Sequence, residues 1–72
     1  LDCAAGAGVF AKAAKLVWPN IHTTSIEPRE EEQSRLLDCS DIVYIDYLEN
    51  LLTAESFECA RWDLIITNPP FN

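Results

Sequence analysis

Two consecutive prolines, Pro69 and Pro70, bring an apolar run to a hard stop. The run, Leu64-Ile65-Ile66, has the branching and hydrophobicity of a buried strand. A proline fixes φ near about −65° and carries no N–H, so the strand's hydrogen-bond ladder ends there. The resulting turn offers rigid backbone with bare carbonyls and no competing donors. Asn68, just before it, adds a side-chain amide with an acceptor oxygen and donor hydrogens. Phe71, just after it, adds a flat apolar face. Such a set suits a planar group bearing an NH₂, with its hydrogens on the Asn68 oxygen and a proline carbonyl and its ring on Phe71. The plainer alternative is a strand terminator whose Asn68 faces solvent, and the tetrapeptide alone does not choose.

The start of the chain repeats the strand-then-turn arrangement. Leu1-Asp2-Cys3 reads as the end of a strand, followed by the small residues Ala4-Ala5-Gly6-Ala7-Gly8. Backbone in such a run can approach a ligand closely. Val9 to Val17 reads as a helix, because Phe10, Ala13, Ala14 and Val17 share one face at i, i+3, i+4 and i+7. Lys12 and Lys15 lie off that face, and Trp18-Pro19-Asn20 ends the helix. Gly6-Ala7-Gly8-Val9-Phe10-Ala11 also satisfies the G-x-G-x-x-G/A dinucleotide pattern. That leaves a nicotinamide-dependent oxidoreductase as one reading.

His22 to Ile26 reads as a second strand, and Glu27 at its end lies 19 residues after Gly8. That spacing places a carboxylate where nucleotide-binding α/β units accept from ribose hydroxyls. A carboxylate opening the next helix, held there by the helix dipole, is the alternative. Pro28 suits the first position of that helix. Arg29-Glu30-Glu31-Glu32 reads as its solvated face, with Glu31 and Arg35 spaced to pair at i,i+4. Leu36 and Leu37 supply its core contact. Ile42-Val43-Tyr44-Ile45 is the third strand, with Asp46-Tyr47 at its end. An Asp in that place is also a common turn starter. Residues 51–61 read as a short helix or an irregular crossover into the fourth strand.

The composition narrows the classes. At 72 residues and 49% hydrophobic, the chain is at most one small domain, globular in character. It has no Met, begins within a strand and ends one residue past Phe71, so it reads as an internal piece of a longer protein, truncated at both ends. Marginal stability and weak or absent activity are expected of these residues alone. No apolar run approaches the ~20 residues needed to span a bilayer. The net charge of −7 leaves phosphate-gripping surface to regions outside these residues. Cys3, Cys39 and Cys59 are odd in number with no CxxC pair, which argues against zinc and a disulfide framework. Free buried thiols in a reducing cytosol are the expectation. His22 has no nearby ligand partner and is read as structural.

Ile65-Ile66-Thr67-Asn68-Pro69-Pro70-Phe71 fits, position by position, an aliphatic pair, a variable residue, Asn, Pro-Pro and an aromatic. This resembles the catalytic motif of class I S-adenosylmethionine-dependent methyltransferases that modify amino nitrogens, most of all the adenine-N6 nucleic-acid methyltransferases. Asp2-Cys3-Ala4-Ala5-Gly6-Ala7-Gly8 looks like motif I of the same family. The resemblance implies a catalytic role for Asn68, Pro69, Pro70 and Phe71. It implies a cofactor site for S-adenosyl-L-methionine built from Asp2, Ala4, Gly6, Gly8, Glu27, Asp46, Tyr47 and Asn68, with no metal. Asp2 would orient the cofactor's amino-acid end, or simply cap its own loop. Glu27 would bind the ribose, Asp46 would accept from the adenine amino group, and Tyr47 would pack on its ring.

The implied fold is α/β: a Rossmann-like three-layer α/β/α arrangement on a parallel sheet, here its first four strands in the order 3-2-1-4. Right-handed crossovers would then bring every candidate residue to the C-terminal edge of the sheet. The implied target is the N6 amino group of adenine in DNA, with ribosomal RNA bases or a protein glutamine amide as alternatives. DNA ranks ahead of RNA as partner, bound through regions outside these residues, and no membrane is involved.

Overall fold

The computed structural model describes residues 1–52 and 62–67. Asn68, Pro69, Pro70 and Phe71, together with Cys59, lie outside the described residues.

The helix over Val9–Val17 (α1) is followed by a strand at Thr24–Ile26 (β1) and a 3₁₀ turn at Glu30–Glu32 that runs into a short helix at Gln33–Leu37 (α2). A second strand at Ile42–Tyr44 (β2) and a helix at Leu48–Leu51 (α3) come next. β1 and β2 pair in parallel, with Thr24 opposite Ile42, Ser25 opposite Val43 and Ile26 opposite Tyr44. The expected first and fourth strands are present only as single parallel bridges, from Ser25 to Asp2 and from Asp2 to Ile66, and Leu64 and Ile65 are 48% and 58% exposed rather than buried. Ile66, Asp2, Ser25 and Val43 therefore stand in one row. The bonds of the row are ordinary backbone ones: Asp2 N–H to Thr24 O at 2.9 Å, Ile26 N–H to Asp2 O at 2.9 Å, Cys3 N–H to Ile66 O at 3.1 Å and Ile66 N–H to Leu1 O at 2.8 Å.

Paired residues of parallel segments point to the same side, and neighbours along a segment alternate. Ile26 and Tyr44 thus share a face. There Ile26 and Leu51 are buried together, with Leu1, Leu48 and Trp62 packed against them. Complete burial of one such isoleucine contributes about 1.5–3 kcal/mol. The opposite face carries Asp2 and Ser25, whose hydroxyl hydrogen-bonds that of Ser40, just past α2. Ala11 of α1 and Leu36 of α2 are buried.

Several local expectations are corrected. The inward side of α1 is not the Phe10-Ala13-Ala14-Val17 stripe. Ala11 is buried, Ala14 and Lys15 are half-buried, and Val17 is 64% exposed. Small residues let the helix backbone come close, and Lys15 reaches Asp41 at 3.3 Å. The second strand begins at Thr24 rather than His22, because Asp41 intervenes. Its Oδ2 accepts the Thr23 N–H at 2.7 Å, while Thr23 O accepts the Asp41 and Ile42 amides. The third strand stops at Tyr44, one residue short of Ile45.

The second helix does not start at Pro28. The Glu27 carboxylate captures the Arg29 N–H at 3.0 Å, and Arg29 stays extended. Arg35 pairs with Glu32, the cap of α2 three residues before it, at 3.5 Å, rather than with Glu31. Leu36 is fully buried whereas Leu37 is 58% exposed, so one of the two leucines supplies the core contact.

Candidate functional site

The loop between Asp2 and α1 is held at both ends. Ala5 N–H donates to Ile26 O at 3.0 Å, tying the loop to the end of β1, and Gly8 N–H returns to Ala5 O at 3.0 Å. Gly6 and Gly8 have φ of +56° and +91°, values that side-chain-bearing residues adopt at a cost. The two glycines differ in surroundings. A Cβ on Gly6 would have ordinary room, its nearest neighbour being Arg29 Nη2 at 3.7 Å. A Cβ on Gly8 would overlap the Cys39 sulfur and crowd Leu36 Cδ2 at 3.3 Å. Gly8 thus lets the start of α1 sit directly on the end of α2.

Glu27 is buried at the end of β1 and bridges two loops. Its Oε1 accepts the Gly6 N–H at 3.0 Å. Its Oε2 accepts the Arg29 N–H at 3.0 Å and Arg29 Nε–H at 2.7 Å. Burial alone would raise its pKa, but the Arg29 side-chain bond, then the Arg29 and Gly6 backbone bonds, outweigh it and hold the carboxyl below its usual range. Glu27 is therefore an ionised acceptor fixed in orientation.

Asp46 and Tyr47 follow β2 at the same edge. Asp46 Oδ1 accepts Asn50 Nδ2–H at 2.8 Å and the Tyr47 N–H at 2.7 Å. These two bonds, the Asn50 one foremost, lower its pKa. Asp46 thus ties down the first turn of α3, the turn-starting role, with one oxygen engaged. Tyr47 is 58% exposed.

One cleft of about 940 Å³ gathers these pieces. Ala4, Gly6, Glu27, Asp46 and Tyr47 all line it, with Phe10, Arg29, Leu48 and Glu49 among the other walls. That volume is in the range of small-molecule sites. Charged groups among its described walls are three carboxylates, Glu27, Asp46 and Glu49, and one cation, Arg29. Asp2 and Gly8, also read as cofactor-binding, are not among the walls. Gly8 is buried under the α1–α2 contact.

Asp2 lines a separate cavity of about 220 Å³ between α1 and the strand row, with Ala11, Ala14, Ser25 and Ile66. Its Oδ1 accepts the Ala4 N–H at 3.3 Å, so it holds the loop through an amide. Its Oδ2 is buried with no hydrogen-bond partner among the described residues. Burial raises its pKa, against the opposing pull of the Ala4 bond.

Arg29 is the site residue that sequence reasoning passed over, since it stands at the head of a charge run read as a solvated helix face. Its nearness to Glu27 in sequence was the available signal. Cys39 is buried and free and Cys3 is half-buried and free. No group of three His, Cys, Asp or Glu among the described residues is arranged to hold a metal ion. No helix among them is long and apolar enough to cross a membrane.

No protein-family model, curated protein or solved structure matches this chain.

Proposed function

We propose that the chain is part of a cytoplasmic S-adenosylmethionine-dependent N-methyltransferase with a Rossmann-like three-layer α/β/α fold, acting on the N6 amino group of adenine in DNA. One observation carries this reading: the turns after the Asp2 bridge, β1 and β2, at Gly6, Glu27 and Asp46, wall a single net-acidic cleft. Carboxylates outnumbering cations suit a ligand of net positive charge, as a sulfonium with an ammonium group is. They suit a dinucleotide pyrophosphate poorly, which weighs against the nicotinamide alternative. The Asp2–Ile66 bridge supports the other half of the reading, since the segment leading to Asn68 runs beside the one leading to Gly6.

Bound S-adenosylmethionine would supply an electrophilic methyl group. The chain's own residues would do the rest. Glu27, already ionised, has lone-pair capacity left on Oε1 for a ribose hydroxyl. Asp46 has its second oxygen for an amino hydrogen. The Asn68 oxygen and the Pro69 carbonyl would each accept one hydrogen of the target amino group. That favours a pyramidal nitrogen whose lone pair is not lost into the ring. An amide side chain is no general base at neutral pH, so catalysis rests on positioning and polarisation, and the proton leaves to water. A base in duplex DNA would first be flipped out, and Phe71 would stack on it. Ribosomal RNA bases and a glutamine amide present the same NH₂ chemistry.

Calorimetry with S-adenosylhomocysteine and with NAD tests the cofactor class. Saturable binding of the first and none of the second is expected; the reverse order would overturn the proposal. In a longer enzyme that contains this chain, Asn68→Ala is expected to abolish methyl transfer while leaving cofactor affinity intact, and retained turnover would remove Asn68 from the mechanism.

A further inference from the structure

We propose that Arg29 is a specificity-determining residue of the cleft, which selects ligands bearing a carboxylate by presenting its free guanidinium edge to that group. The inference rests on the reading of the cleft as an S-adenosylmethionine site. Arg29 is the one cation among the described walls of a cleft otherwise acidic. A ligand carboxylate entering there meets repulsion from Glu27, Asp46 and Glu49 and attraction at a single place. The guanidinium is held at that place rather than swinging freely. Its Nε–H is fixed on Glu27 Oε2 at 2.7 Å, and its backbone N–H on the same oxygen at 3.0 Å. Its Nη2 lies over the glycine turn, 3.7 Å from where a Gly6 Cβ would be.

Neither terminal nitrogen makes a hydrogen bond among the described residues. The terminal edge of the fork is therefore still available, in a geometry that matches two carboxylate oxygens. Glu27 and Arg29 then divide the ligand between them: the carboxylate of the protein takes hydroxyl donors, and its tethered arginine takes the ligand's acid. Lysine in this place would keep the charge and lose the fork.

The test compares two nucleosides that differ in the amino-acid end. S-adenosylhomocysteine carries the carboxylate; 5′-methylthioadenosine lacks it. Affinities for both are measured by calorimetry on the wild-type protein, Arg29→Ala and Arg29→Lys. A charge-assisted bond of this kind corresponds to about ten- to hundredfold in affinity. The wild-type preference for S-adenosylhomocysteine is expected to fall by that factor in Arg29→Ala and to survive in part in Arg29→Lys. If both nucleosides bind and the preference is unchanged in Arg29→Ala, the inference fails and the cleft assignment stands. Equal weakening of both would mean that Arg29 acts only through Glu27, which also overturns it. If neither binds the wild-type protein, the cleft assignment falls and takes this inference with it. Should Arg29→Ala not fold, as judged by circular dichroism, Arg29→Gln reads the same ratio.

Discussion

Glu27 and Gly6 are joined across 21 residues of chain by a 3.0 Å hydrogen bond from the Gly6 amide to Oε1. The bond makes the glycine turn and the end of β1 one rigid unit. Because Oε2 is held by Arg29, both carboxylate oxygens are engaged within the chain itself. Removing the carboxylate would orphan two backbone amides and a guanidinium together.

Glu27→Ala is expected to destabilise the protein by about 1–3 kcal/mol, the cost of leaving such donors unmet. Glu27→Gln retains one acceptor oxygen and should lose less. Urea denaturation of the two variants checks the order; equal losses would mean that the neutral oxygen retained by Gln does not replace the carboxylate as acceptor.

The pH dependence follows from the same bonds. The folded state holds Glu27 below its unfolded value. Its ionisation thus contributes stability that is complete above that value and is lost as pH falls through the lowered folded value. Asp2 has the opposite sign. Its folded pKa is raised, so its ionised form costs stability above that raised value, and the cost disappears as pH falls through it. Asp2→Asn keeps the acceptor for Ala4 N–H and removes the charge. Its unfolding midpoint at neutral pH is expected to equal or exceed the wild-type one, and its advantage to shrink on acidification. Thermal melts at pH 3 to 8 decide this. A marked loss at pH 7 would show that the carboxylate has a partner that matters.

Gly8→Ala should be far more damaging than Gly6→Ala. Both positions have positive φ, but only at Gly8 would the new methyl group strike the Cys39 sulfur and Leu36. Strain alone costs of order 1–3 kcal/mol, and overpacking adds a comparable amount. Gly6→Ala is expected near the lower end of the strain cost. Cys39→Ala, which opens space beneath Gly8, should recover part of the Gly8→Ala loss in a double-mutant cycle. Additive losses would place the Gly8 effect in backbone strain alone.

Much of the site was legible because it depends on residue type and spacing. A glycine turn after a strand, a carboxylate 19 residues later and an acid after the next strand are linear facts. So is the span of α1, whose Val9–Val17 range the apolar periodicity anticipates. What periodicity lacks is the rotation of a helix about its own axis. The stripe Phe10-Ala13-Ala14-Val17 and the buried Ala11 are neighbouring sectors, and the contact of Gly8 with Cys39 chooses between them. Likewise, Glu31 and Glu32 are both spaced to meet Arg35, and the fold pairs it with Glu32.

The sequence by itself determined which residue types are present and how they are spaced: small residues after Asp2, a carboxylate at Glu27 and Asp46, and Asn68 before two prolines. Tertiary structure decided which of those groups share a cleft. It left Asp2 beneath α1 on the loop amide, buried Gly8 in a helix contact, and brought Arg29 into the wall beside Glu27. The reason is physical. Residue type and local spacing act within a few positions of the chain, whereas the direction a side chain faces depends on what packs against its backbone from far away in sequence.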